Sequence, residues 1–275
     1  MTSERRPGPS VRLRVTELRD DVERGREDRV VTEEPLEIRL QWPGAPARRV
    51  WVTMRTPGHD FELAAGWAVH EGLAPAAPGA VHGVAYCTDV TLAPDQEFNV
   101  VTVTLDQAPT VLPHQHDALS AGSSACGVCG RDSVDSALTT TGPPWSAGLP
   151  SSEVVRGLPD ALRAHQRVFD RTGGVHAAGL ATAAGELLVV REDVGRHNAV
   201  DKVTGARLLA GEPVAGACLV VSGRAGFELV QKAVAVGTGA LVAVGAPTSL
   251  AVDLARRAGL VLYGFASADR VVRYA

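Results

Sequence analysis

Apolar and polar residues alternate along the first third of the chain. V-R-L-R-V at 11–15, L-E-I-R-L at 36–40, V-W-V-T-M at 50–54 and V-V-T-V-T-L at 100–105 each send every second side chain to one face. Alternation rich in β-branched residues predicts half-buried strands, here of a mostly antiparallel sheet. One helix interrupts them after Arg55. Thr56 is read as its cap, Pro57 suits its first turn, and Gly72 stops it. Phe61, Leu63, Ala64, Trp67 and Ala68 form a stripe that should face the sheet.

Residues 106–150 are rich in Pro, Gly, Ser and Thr and read as a long loop. Beyond residue 151 the period changes. A helix over 159–171 ends at Gly173, and two short strands pair across Ala184-Gly185. Short apolar strands at 218–222, 240–244 and 261–265 then alternate with helices at 199–209, 227–236 and 249–258. This rhythm predicts a C-terminal three-layer α/β domain with a largely parallel sheet. The division expected is a disordered tail over 1–10 and an N-terminal α+β domain over 11–115. A mobile loop over 116–150 and the C-terminal domain over 151–275 complete it.

The 275 residues are 45% hydrophobic and carry a net charge of −4, which gives no electrostatic case for nucleic acid or a membrane surface. The first thirty residues are charged and broken by Pro7, Gly8 and Pro9, unlike a signal peptide. No apolar run approaches the roughly 20 residues that span a bilayer. A cytoplasmic protein is expected, where structural disulfides are rare.

Polar clusters fall at the ends of the predicted C-terminal strands, where α/β sheets bind ligands. In E-D-V-G-R-H-N, between a buried strand and a helix, Arg196 and His197 join the helix-start amides and suit an anion or nucleotide. In S-G-R-A-G-F-E, Ser222, Gly223 and Arg224 could cradle a phosphate, while Glu228 and Lys232 read as a surface pair. Arg270 follows the last strand. His176, in T-G-G-V-H-A-A, reads as a core histidine. Ala178 stands where a zinc deaminase of the H-x-E type needs its Glu, and no C-x-x-C follows, which argues against a zinc hydrolase.

Of four cysteines, Cys87 and Cys218 border apolar runs and read as inert buried thiols. Cys126 and Cys129 lie in S-S-A-C-G-V-C-G, a Gly-rich run just before a predicted helix start. Glycines leave the sulfur uncovered, and helix-start amides favour a thiolate. A disulfide oxidoreductase would need a thioredoxin-like context, and a structural zinc site would need more ligands. A persulfide carrier needs only an exposed, acidic thiol.

Six runs, in order over roughly residues 50–265, resemble one family: M-R-T-P-G-H-D-F-E-L-A-A-G, S-S-A-C-G-V-C-G, T-G-G-V-H-A-A, E-D-V-G-R-H-N-A-V-D-K, S-G-R-A-G-F-E-L-V-Q-K and A-P-T-S-L-A-V-D-L-A. The chain is similar to the FdhD/NarQ family, the formate dehydrogenase accessory sulfurtransferases. The resemblance implies a homodimer whose C-terminal domain has the cytidine deaminase-like fold. It implies sulfur taken from a cysteine desulfurase as a persulfide on Cys126, with Cys129 as its partner. It further implies transfer of that sulfur to the molybdenum bis(molybdopterin guanine dinucleotide) cofactor, a bound substrate, for formate dehydrogenase as client. No structural metal is expected. The family's cofactor-binding segment maps to Phe265, Ala266, Ser267, Ala268, Asp269 and Arg270. Ser267 stands where the family usually has Arg, leaving Arg270 and Arg273 as the cations of this stretch. The competing reading is a non-catalytic chaperone that binds a guanine nucleotide or the molybdenum cofactor at the sheet edge.

Overall fold

The computed structural model describes residues 7–88, 97–109 and 142–275. The chain opens with an antiparallel hairpin of β1 (Ser10–Arg19) and β2 (Val22–Val31). Asp20 and Asp21 turn it in the left-handed region, with φ of 49° and 63°, as the twist of a two-residue hairpin demands. Most side chains of this arm are exposed, Leu13 and Leu18 among them. Ser10, placed by the sequence in a disordered tail, therefore opens a strand. The Pro9 carbonyl accepts the Thr32 amide at 3.1 Å.

Next comes a four-stranded sheet in the order β4-β3-β6-β5, from β3 (Glu34–Trp42), β4 (Ala45–Arg55), β5 (Gly83–Tyr86) and β6 (Val100–Thr104). Only β3 and β6 run parallel. Leu36, Ile38 and Leu40 are fully buried, because the alternation of β3 sends all three beneath α1 (Asp60–His70). Leu63, Ala64, Trp67 and Ala68 of α1 meet them, as the helical stripe predicts. Trp67 stacks on Trp51 with ring centroids 5.1 Å apart. Thr56, however, does not cap α1. His59 holds that position with φ of 59°, and the Thr56 hydroxyl instead accepts the Val194 amide at 3.0 Å.

Residues 142–150, read as part of the long loop, form no helix or strand, yet Trp145 and Leu149 lie against Gly239. The helix expected from Pro159 begins earlier, at Ser152. Ser151 caps α2 (Ser152–Arg163) through the Val154 amide, and Pro159 sits inside it. The short α3 (Arg167–Thr172) ends on Gly173 with φ of 65°. Then follow β7 (His176–Ala181), β8 (Leu187–Asp193), α4 (Arg196–Leu209), β9 (Cys218–Val221) and α5 (Phe227–Ala235). The chain closes through β10 (Ala240–Ala243), α6 (Ser249–Ala258), β11 (Val261–Gly264) and β12 (Val272–Arg273).

These strands form a six-stranded sheet in the order β12-β11-β10-β9-β7-β8. Residues of α4, α5 and α6 cover one face through Val203, Leu229 and Leu254, and α2 covers the other through Val155, Leu158 and Leu162. Three layers therefore form, but the sheet is not largely parallel. Pairs β9–β10 and β10–β11 are parallel, whereas β7–β8, β7–β9 and β11–β12 are antiparallel. The crossover through α4 carries the chain from β8 to the far side of β7. Strand-helix rhythm alone does not reveal this step. Helix α1 packs along α4, so the cover of the first sheet is held against the cover of the second.

Candidate functional site

Because β9, β10 and β11 are parallel, their carboxyl ends open on one edge. Beyond that edge the backbones stay laced together. Gly245 donates to the Gly223 carbonyl at 3.0 Å, Ala225 to Ala246 at 3.2 Å, and Phe265 to Gly245 at 3.2 Å. This lacing sets Gly223, Arg224 and Phe265 side by side.

The individual residues differ in what they offer. Arg224 is exposed. The Ser222 hydroxyl accepts the Ala177 amide at 2.9 Å, so it fixes the edge. Phe265 takes φ of 50° and presents an exposed ring, with the Arg270 guanidinium 5.2 Å from the ring centroid. Ala266 turns its methyl into the core. Ser267, Ala268 and Asp269 form an exposed turn, closed by Ser267 donating to the Arg270 carbonyl at 2.9 Å.

The start of α4 reaches the same edge. Arg196 is half-buried, and its Nε is buried with no hydrogen-bond partner among the described residues. His197, in contrast, turns inward, with Nε2 2.7 Å from the Glu228 carboxylate of α5. Glu228 and Lys232, read as a surface pair, thus each reach α4: Lys232 Nζ lies 2.6 Å from Asp201 Oδ1. His70 completes that buried cluster, 2.5 Å from the same oxygen.

His176 was not expected here. It is the first residue of β7 and pairs with Asp193, at the end of β9 rather than in the core. A Cβ placed on Gly223 would stand 3.4 Å from His176 Nδ1 and 3.7 Å from Arg196 Cδ, so the three share one corner. Partial burial, Arg196 and His197 hold its imidazole below the ordinary value of 6.5, against the opposing pull of Asp193. No local sequence pattern marks this position, which follows from β7 pairing antiparallel with β9.

Much of E-D-V-G-R-H-N-A-V-D-K serves the seam between the two sheets. Buried Asp193 accepts the Thr56 amide at 3.1 Å, the Gly195 amide at 2.8 Å and Asn198 Nδ2 at 3.0 Å. It also pairs with buried Lys202 at 2.6 Å, whose ammonium donates to the Thr56 carbonyl at 2.9 Å. Asn198 Nδ2 donates to the Met54 carbonyl at 2.7 Å.

Cys126 and Cys129 lie outside the described residues. Cys87 is half-buried and accepts from Arg39 Nη1 at 3.6 Å. Cys218 is fully buried, and burial pushes its thiol up, in keeping with an inert core residue. Among the described residues no group of three or more His, Cys, Asp or Glu side chains could hold a metal ion. No described helix is long and apolar enough to cross a membrane.

Fold and edge define a mixed α/β protein with several mostly antiparallel sheets and a cationic rim along the parallel strand ends. Known proteins share this plan. A structure from Desulfotalea psychrophila, of a candidate formate dehydrogenase accessory protein, superposes with a TM-score of 0.72 at 22% identity over 96% of both chains. The FdhD/NarQ family profile matches residues 31–275. The sulfur carrier protein FdhD of Streptomyces coelicolor is 46% identical over 273 residues, 94% of this chain and 95% of that protein. Its counterpart in Mycobacterium tuberculosis is 42% identical over 269 residues, 95% of each. The chain belongs to the FdhD/NarQ family.

Proposed function

We propose that this chain is a sulfurtransferase of formate dehydrogenase maturation. Cys126 takes sulfur from a cysteine desulfurase as a persulfide and delivers it to the molybdenum bis(molybdopterin guanine dinucleotide) cofactor, held as a substrate at the sheet edge. The client is formate dehydrogenase. The protein works in the cytoplasm as a homodimer, and its C-terminal layers share the cytidine deaminase-like plan. The observation that carries this reading is near end-to-end similarity to sulfur carrier proteins that spans the C-x-x-C run.

The edge suits the proposed substrate. A guanine dinucleotide brings phosphates and a flat base. Arg196 and Arg224 offer forked cations for the first, and the exposed Phe265 ring offers a stacking face for the second. Incubation with a cysteine desulfurase and cysteine tests the sulfur step. The expected product is a reductant-sensitive gain of about 32 Da, lost in Cys126→Ala. No gain with an active desulfurase would leave the nucleotide-binding chaperone in its place.

A further inference from the structure

The corner formed by His176, Arg196 and Gly223 holds two nitrogen-bearing side chains, and each nearby acid among the described residues is already engaged. Asp193, across the β7–β8 ladder, is bound to Lys202 at 2.6 Å and accepts three N–H donors. Glu192 accepts the Val168 and Phe169 amides of α3, both at 2.8 Å. Glu228 of α5 lies 2.7 Å from His197. Among the described residues, Arg196 Nε is buried without a hydrogen-bond partner, and the His176 ring, half-buried beside it, stands close to Arg196. A half-buried guanidinium beside a half-buried imidazole, with the local carboxylates spent, lacks an anion. The corner opens at the start of α4, a helix of 14 residues whose first amides add to the positive potential.

We propose that His176 is a ligand of the phosphate-bearing substrate and binds it as an imidazolium, so that anion binding at Arg196 and His176 takes up one proton. This inference rests on the phosphate reading of the edge given above and adds to it a residue and a proton. Physically, the free corner keeps His176 neutral because a second charge beside Arg196 in partial burial is costly. A bound phosphate reverses the balance, since its negative charge makes the protonated ring the favoured form. The remaining charged neighbours do not alter the sign. His197 and Arg196 on α4 oppose protonation in the free state, and Asp193 on β8 favours it weakly. Nδ1 of His176 is the nitrogen nearest Gly223, so the glycine leaves that side of the ring uncovered by a side chain.

The experiment is calorimetric titration of the full-length protein with guanosine diphosphate and, separately, inorganic pyrophosphate. It runs from pH 6 to 8.5 in pairs of buffers with different ionisation heats. The expected result is net proton uptake approaching one, with affinity falling by about tenfold per pH unit over the range where the free histidine is neutral and the bound one keeps its proton. His176→Gln, which keeps hydrogen-bonding capacity but does not titrate, should bind with only the ligand's own phosphate titration, near pH 6. Arg196→Met should weaken binding at every pH. Binding by the wild type with no proton uptake, and unchanged in His176→Gln, overturns the role of His176 and leaves the phosphate edge standing. No binding of either probe at any pH overturns both.

Discussion

Gly66 and Gly205 face each other across the crossing of α1 and α4. A Cβ on Gly66 would overlap the Asp201 carbonyl, and one on Gly205 would overlap the Glu62 carbonyl. The helices therefore touch backbone to backbone. That approach keeps His70 of α1 within reach of Asp201 and Thr204 of α4, in a cluster that is otherwise too buried for water to satisfy. Two residues that weaken isolated helices thus fix how the two sheets sit together.

Gly66→Ala or Gly205→Ala must push α1 away from α4. Each should destabilise the protein by about 2 kcal/mol, overpacking outweighing the better helix propensity of Ala. Gly157→Ala in α2, where a Cβ meets nothing within 4 Å, should instead stabilise it by roughly 0.5–1 kcal/mol. Urea unfolding of the three variants decides. Equal effects at all three positions would remove the close-approach argument.

Asp193 and Lys202 form a buried pair that differs in its reserves. Without Lys202, Asp193 keeps three N–H donors; without Asp193, Lys202 keeps, among the described residues, only the Thr56 carbonyl. Asp193→Ala should cost about 3–5 kcal/mol, the range for an abandoned buried charge. Lys202→Met should cost clearly less, and the double variant less than the sum. Equal single losses would mean the amides contribute little.

Glu62 links α1 to β8. Its carboxylate receives Arg191 Nε at 2.5 Å and lies 3.0 Å from His59 Nδ1. Burial opposes its ionisation, but the hydrogen bonds from Arg191 and then His59 outweigh this and hold the carboxyl at about 2, against an ordinary 4.5. A depressed acid contributes stability above its unfolded value and loses it as pH falls through the folded one. The gap between wild type and Glu62→Gln should therefore be full above pH 4.5 and close toward pH 2, amounting to about 2 kcal/mol at its largest after allowance for solvent screening. Thermal melts across that range test the sign.

Arg196 and His197 are neighbours with opposite duties. Arg196 has an unsatisfied Nε at the edge, and His197 points to Glu228. Arg196→Met should weaken guanosine diphosphate binding with little change in the melting temperature. His197→Gln should lower the melting temperature and leave the affinity within about twofold, a surface-like effect of under 0.5 kcal/mol. The reverse pattern would return His197 to the binding edge.

What the sequence declares depends on what each residue packs against. Leu36, Ile38 and Leu40 announce β3 because one face of that strand is fully buried. Residues 22–31 carry no such signal, since most of β2 stays exposed, no residue of it is fully buried, and neither face selects for apolar side chains. Ser249–Ala258 is legible at both ends because Thr248 caps it and Gly259 stops it with φ of 70°. Pro159 misleads, being tolerated inside α2 although it suits a first turn. At the site, Arg196, Gly223 and Arg224 are readable from their place after strands. The corner with His176 is not, since it depends on β7 running antiparallel to β9, a pairing that no local pattern encodes.

Phe265 stores strain where the substrate's base is proposed to sit. An L-residue at φ of 50° is disfavoured by about 1 kcal/mol, and Phe265 is 39% exposed, with the Arg270 guanidinium 5.2 Å from the ring centroid. Phe265→Gly relieves the backbone, partly offset by the extra freedom of an unfolded glycine, so the protein should gain up to about 1 kcal/mol. The same change removes the stacking face, and guanosine diphosphate affinity should fall about fivefold or more, the loss of a contact near 1 kcal/mol. Stability and binding moving in opposite directions is the mark of strain kept for function. If Phe265→Gly destabilises the protein, the ring is packing; if affinity for guanosine diphosphate and pyrophosphate falls equally, the ring does not meet the base.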